Sequence, residues 1–146
     1  KIVFDKMNFK IDEYIPELGT TLGEELIKPT RIYTDPVLPL VERYDIKGIA
    51  HITGGGFYEN IPRIIPNGLT ASIDTSKIDT PEIFKLLGEW GNIKEEEMYS
   101  TFNMGIGMVL IVKKHEVDQI TDQLNDMEEE FVLLGEIKKG EEKVSL

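Results

Sequence analysis

The stretch from Lys47 to Arg63, K-G-I-A-H-I-T-G-G-G-F-Y-E-N-I-P-R, leaves the backbone few choices. Its apolar run, Ile49 to Ile52, ends in three successive glycines, after which apolar and polar residues recur at helical spacing. A strand, a tight turn and a helix start are the expected result. Glycines at such a corner lack the Cβ atoms that would hold a ligand off the main chain. The N–H groups of Gly54, Gly55 and Gly56 can therefore converge on an anion, phosphate being the obvious guest.

At 146 residues the chain fits one domain, 1–146, large enough to bury about 68–70% of its unfolded surface. The absence of cysteine excludes disulfides, thiolate zinc sites and cysteine nucleophiles, and fits a reducing compartment. His51 and His115 are too far apart in sequence to suggest a metal pair, and no metal site is read. No apolar run approaches the ~20 residues that cross a bilayer, and no signal-peptide pattern opens the sequence, so a cytoplasmic location is expected. The net charge of −11 argues against nucleic acid or an anionic membrane as partner. A negatively charged substrate has to be captured locally. Lys1 to Phe9 reads as the tail of an amphipathic helix already under way, so the chain is expected to be a domain of a longer protein.

Lys10 to Glu17 reads as extended and irregular. Thr21 then opens T-L-G-E, a capping box in which Thr21 and Glu24 satisfy each other's free backbone N–H groups, followed by a short helix from Leu22 to Ile27. Asp35 as N-cap with Pro36 behind it predicts a helix over Pro36 to Tyr44. After the glycine turn a helix over Phe57 to Ile64 carries Pro62, which limits it to one or two turns. Asn67-Gly68 is a turn and Leu69 to Ile73 a strand. Thr80-Pro81 starts a helix with Ile83, Phe84, Leu87 and Trp90 as its core stripe and Gly91 beyond its end. Lys94 to Thr101 is a second short helix, with Glu95 to Glu97 complementing its N-terminus. Met104 to Val112 is nearly all apolar, as in a strand covered on both faces. His115 to Met127 is an amphipathic helix with Val117, Ile120 and Leu124 inward, and Phe131 to Lys138 and Lys143 to Leu146 are closing strands around Gly140. Strands alternating with helices predict an α/β or α+β fold with a mixed sheet layered with helices.

Three motifs in register resemble the C-terminal domain of the phosphoribosylformylglycinamidine cyclo-ligase (aminoimidazole ribonucleotide synthetase) family. They are H-I-T-G-G-G-F-Y-E-N-I-P-R from His51, K-P-T-R-I-Y from Lys28 and E-M-Y-S-T-F-N-M-G-I-G-M from Glu97, and the resemblance covers nearly the whole chain. It implies a three-layer α/β/α fold distantly like a ferredoxin fold. It also implies a step of purine biosynthesis in which ATP phosphorylates the formyl oxygen of formylglycinamidine ribonucleotide and a substrate nitrogen closes the imidazole ring. Most of the ATP and Mg2+ site and the main homodimer contact are implied to lie in an N-terminal domain outside this sequence. Two other readings stay open: a related phosphotransferase of the selenophosphate synthetase or thiamine monophosphate kinase type, and a non-catalytic interaction domain.

Thr53 and Gly54 to Gly56 are assigned to phosphate contact, with Arg63 as the cation that a short helix start needs beside it. The competing reading is that the glycines only permit close helix packing. His51, at the carboxyl end of its strand where open α/β sheets place ligands, is assigned to an oxyanion or to the proton released on ring closure. Its competing reading is a satisfied core histidine. Glu59 and Asn60 orient the loop or a substrate amide, or only cap the helix. Asn103, Gly105 and Gly107 form a second ligand-facing edge, or serve strand packing alone. Thr30 and Arg31 brace the rest of the enzyme or the nucleotide, against a surface ion pair. His115 and the acidic runs Glu95 to Glu97 and Glu128 to Glu130 read as solvated.

Overall fold

A computed structural model describes all residues, 1–146. The expected α/β alternation is present, but its strands are divided among three small sheets. The first is a minimal hairpin of β1 (Tyr14–Ile15) and β2 (Thr20–Thr21). The second pairs β3 (Gly48–His51) antiparallel with β5 (Met108–Ile111), setting His51 opposite Met108. The third is mixed: β4 (Leu69–Ile73) lies between antiparallel β6 (Gly135–Lys139) and parallel β7 (Val144–Ser145).

Helix starts follow local chemistry. Thr21 and Glu24 form both halves of the capping box ahead of α1 (Leu22–Leu26). Glu24 also accepts from the Thr20 hydroxyl at 2.6 Å, and these donors hold its carboxyl at about 2, below the usual range. The helix α2 (Thr34–Arg43) corrects the sequence reading: it begins before Asp35, so Asp35 and Pro36 occupy its first turn and Tyr33 is the N-cap. The helix α3 (Gly56–Asn60) passes into a 3-10 turn, Ile61–Ile64, where Pro62 sits near the start and its missing N–H does least harm. In α4 (Glu82–Gly91) glycine is the last helical residue, and Asn92 takes the left-handed C-cap. Leu86 is the buried residue of that helix, and the stripe of Ile83, Phe84, Leu87 and Trp90 is half-buried beside it. The helices α5 (Glu95–Thr101) and α6 (Val117–Asp126) follow the expected ranges, with Ile120 and Leu124 buried and Val117 half-buried.

Three readings need correction. Lys1 to Phe9 contains a single π-helical turn, Ile2–Lys6. Met104 to Val112 is no continuous strand: Met104 and Gly105 turn with positive φ, and β5 starts only at Met108, half-buried throughout. Phe131 to Lys138 becomes a strand only from Gly135, where pairing with β4 begins, and Lys143 to Leu146 shortens to β7.

The main core joins the second and third sheets through Ile52, Phe57, Ile61, Ala71, Ile73, Met98, Tyr99 and their neighbours. Phe57, with no exposed surface, meets Tyr99 at 5.3 Å between ring centroids. A side cluster of Val3, Ile15, Leu22 and Leu86 roots the N-terminal segment. Another, of Leu40, Tyr44, Ile120 and Leu124, clamps α2 to α6. Burial of side chains this size stabilises by about 1.5–3 kcal/mol each relative to exposure. The end of β3 and the start of α3 are therefore held from beneath.

Candidate functional site

The turn between β3 and α3 is built from backbone outward. Gly55 and Gly56 have φ of 92° and 54°, a region that favours glycine. A Cβ on Gly56 would overlap the carbonyl oxygen of Tyr99 on α5, so this glycine is buried for close packing. A Cβ on Gly55 would run into the side chain of Glu59. Gly54 differs: it is exposed, and a Cβ there meets nothing within 4 Å. The packing and ligand readings of the triplet thus belong to different glycines.

The amides divide instead between Gly55 and Gly56. Gly56 N–H donates to the Thr53 carbonyl at 3.0 Å and Glu59 N–H to the Gly55 carbonyl at 3.1 Å. The N–H groups of Gly54 and Gly55 have no partner within the chain. The expectation that all three glycine amides converge on an anion is therefore corrected for Gly56, whose donor is already used. Asn60 explains how the turn stays open. Only 4% exposed, its Nδ2 donates to the carbonyls of Gly56 at 2.8 Å, Gly54 at 3.3 Å and Thr53 at 3.4 Å. One buried amide satisfies the acceptors and leaves the donors free.

Beside the turn runs an open groove of about 280 Å³. It is lined by His51, Thr53 and Gly54 around the turn, by Thr101, Phe102 and Asn103 at the end of α5, and by Thr30 and Phe84. The two phenylalanine rings stand 5.6 Å apart. Five sequence-predicted residues therefore meet: Thr30, His51, Thr53, Gly54 and Asn103. His51 is exposed rather than a core histidine, and its ring lies edge-on to Tyr33, 6.0 Å away. Asn103 is half-buried, and its side-chain oxygen accepts from Gly105 N–H at 3.1 Å.

Other predicted residues lie elsewhere. Gly56 and Asn60 shape the turn from behind, while Gly55 lies in the turn with its N–H open but is not part of the groove lining. Gly105, with φ of 98°, is not part of the groove lining; a Cβ there would press on Pro81. Arg63 is exposed on the 3-10 turn after α3 and does not line the groove either. Arg31 pairs with Glu129 at 2.7 Å, so the surface ion pair describes it, whereas its neighbour Thr30 reaches the groove. Sequence reasoning did not single out Thr101, Phe84 and Phe102. The first and last lie inside the E-M-Y-S-T-F-N-M motif, which was the available signal, while Phe84 was read as core alone.

The lining contains no lysine, arginine, aspartate or glutamate. It offers hydroxyls, amides, one imidazole and aromatic faces. At the far end of the same sheet Lys113 bonds Asp45 at 2.5 Å and Lys47 pairs with it too, and these cations hold the Asp45 carboxyl at about 2. A larger hollow, about 510 Å³, lies elsewhere between Tyr58, Glu96, Glu142 and Lys143. Its lysine amine is occupied by the Ile65 carbonyl and Asn67, at 2.8 and 2.9 Å, and its two carboxylates repel phosphate. The groove at His51 is the better candidate on chemistry. No group of three or more His, Asp or Glu side chains gathers in the chain, and the groove lining has none of the one or two carboxylates that a phosphate-bound magnesium takes from protein, so the residues present do not fit that ion.

Comparison with known proteins gives the family. The model of the C-terminal domain of AIR synthase related proteins matches residues 6–146. A phosphoribosylformylglycinamidine cyclo-ligase of Alkaliphilus oremlandii is 47% identical over the whole chain, which covers 43% of that relative. One of Caldicellulosiruptor bescii is 52% identical over 136 residues, 93% of this chain and 40% of the relative. Another, of Trichlorobacter lovleyi, is 49% identical over 138 residues, 94% of this chain and 40% of the relative. The chain thus spans about two fifths of the length of the curated relatives it matches. No helix is long and apolar enough to cross a membrane. The match along residues 6–146 shows that the chain belongs to the AIR synthase related family, as its C-terminal domain.

Proposed function

We propose that this chain is the substrate-binding domain of a cytoplasmic, homodimeric cyclo-ligase that converts formylglycinamidine ribonucleotide to aminoimidazole ribonucleotide, with ATP cleaved to ADP and phosphate. The observation that carries it is the meeting of His51, Thr53 and the open amide of Gly54 in one groove, on a chain 47% identical to a relative named for that activity. ATP, with Mg2+, would supply the activating phosphoryl group from the rest of the longer protein, since nothing in the groove suits the metal.

The chain's own residues have narrower tasks. The Thr53 hydroxyl and the Gly54 and Gly55 amides hold phosphate oxygens, Asn60 fixes the turn, and Gly56 seats it on α5. Hydrogen bonds to an ionised partner contribute about 1.5–3 kcal/mol each. With no cation in the lining, the balance of the phosphate charge has to be met by groups outside the groove, Arg63 included if it swings inward. The faces of Phe84 and Phe102 suit the planar, uncharged part of the substrate. His51 holds or moves a proton as the ring closes, a task worth 10²–10⁴-fold in rate at order of magnitude.

Calorimetry and turnover on the full-length protein test this. Gly54→Ala adds a methyl at the exposed turn without meeting packed atoms, and is expected to weaken formylglycinamidine ribonucleotide about tenfold. His51→Ala is expected to lower kcat by about 10²-fold or more with binding largely kept. Unchanged binding in the first variant and unchanged turnover in the second would reject the reading.

A further inference from the structure

The structure assigns to Tyr33 the task of setting the orientation of the His51 imidazole over the groove, with Gly107 providing the clearance; this rests on the role proposed for His51. Tyr33 is the N-cap of α2, where its carbonyl accepts the Val37 N–H at 3.1 Å. The helix it begins is fixed by Leu40, fully buried against Ile120 and Leu124. The backbone of Tyr33 is therefore anchored to a packed cluster that does not include the groove.

From that anchor the side chain crosses to the second sheet. A Cβ on Gly107 would overlap the Tyr33 hydroxyl and crowd its ring carbons, so the phenol occupies the space that any other residue at 107 would fill. Gly107 is itself fixed, its carbonyl accepting the Ile52 N–H at 2.8 Å, one residue beyond His51. In this seat the phenol ring stands edge-on to the imidazole, at 6.0 Å and 64°. Tilted edge contacts of this kind restrict the ring positions available to both partners.

An exposed imidazole at a strand end would otherwise sample several rotamers. Misplacing a reacting group by about 1 Å can cost on the order of 10²-fold in rate. The Tyr33 ring, rather than its hydroxyl, does the restricting. Gly107 is therefore needed for what it leaves empty.

Full-length protein carrying Tyr33→Phe, Tyr33→Leu, Gly107→Ala or His51→Ala tests this by two readouts. The first is the His51 ring-proton signal of labelled histidine, assigned by its loss in His51→Ala. It is expected to shift in Tyr33→Leu and Gly107→Ala and to stay near its position in Tyr33→Phe. The second is steady-state kinetics. Tyr33→Leu and Gly107→Ala are expected to lose about tenfold in kcat with KM within about threefold, and Tyr33→Phe to keep kcat within about twofold. An unmoved imidazole signal in Tyr33→Leu overturns the assignment, as does normal kcat in that variant while His51→Ala is impaired. Should His51→Ala itself turn over normally, the role proposed for His51 falls and this assignment with it. Gly107→Ala, which keeps the tyrosine but drives its ring from this seat, repeats the test if Tyr33→Leu folds poorly.

Discussion

The groove lies between two glycine turns that use asparagine in opposite senses. In the first, Asn60 donates from behind to three carbonyls, so the backbone donors of Gly54 and Gly55 stay open. In the second, Asn103 accepts: its side-chain oxygen takes the Gly105 N–H, and its carbonyl takes the Ile106 N–H at 2.9 Å. Both are tight and glycine-rich. In the first the side chain satisfies acceptors and the donors of Gly54 and Gly55 stay open; in the second the side chain takes up the donor of the glycine itself. A glycine-rich turn is thus no anion site until it is known which half of each peptide is already bonded.

The largest expected effect separates the glycines. Gly56→Ala forces a Cβ into the Tyr99 carbonyl at a positive φ and should destabilise by about 3–5 kcal/mol in urea unfolding, whereas Gly54→Ala should stay within about 0.5 kcal/mol. Equal losses in the two would break the division of labour between them. Next comes the buried brace. Asn60→Leu should cost about 1–3 kcal/mol and close the turn, with weaker anion binding as the second readout. Asn103→Ala, half-buried and losing one side-chain bond, should cost about 1 kcal/mol and leave anion binding unchanged. If Asn103→Ala weakens phosphate as much as Asn60→Leu does, the contrast between the turns fails.

Charge sharpens the comparison further. Glu59 packs beside Gly55, and Glu59→Gln should tighten phosphate at the first turn by a few fold, about 1 kcal/mol at most between exposed charges, as titration at low salt would show. The smallest effect is a pH control. Both asparagine braces are uncharged, but the Glu24 cap has its carboxyl lowered from 4.5 to about 2. A carboxyl lowered on folding stabilises above its unfolded value, and that contribution is lost as pH falls from about 5 toward 2. Amide protection factors at the start of α1, corrected for intrinsic exchange, should fall over that range in the wild type and change little in Glu24→Gln, while those of the two glycine turns stay unchanged.

What was legible in the sequence was local. Thr21 with Glu24, and Ile49 to Gly56 followed by Pro62, are decided by neighbours within a few residues, and the structure keeps them. Local signals misled where two of them overlapped. Asp35-Pro36 fits an N-cap, yet the helix gains two residues earlier at Thr34. The apolar run from Met104 hid a turn, because Gly105 sits against Pro81, distant in sequence. The groove was legible only in part for the same reason. His51, Thr53, Gly54 and Asn103 stand next to glycines in recognisable motifs. Thr30 and Thr101 also stand in motifs, and what brings them and Phe84 to the groove is packing between segments distant in sequence.

The third sheet has its own consequence. The strand β4 is formed of Leu69 to Ile73, yet both of its partners come from far downstream, Leu69 facing Lys139 and Ala71 facing Val144. A loop of roughly seventy residues has to close before either edge of that strand is satisfied. During synthesis on the ribosome β4 therefore waits unpaired while the groove-bearing half is already available to fold, and its bare edges are exposed to neighbouring nascent chains for that interval.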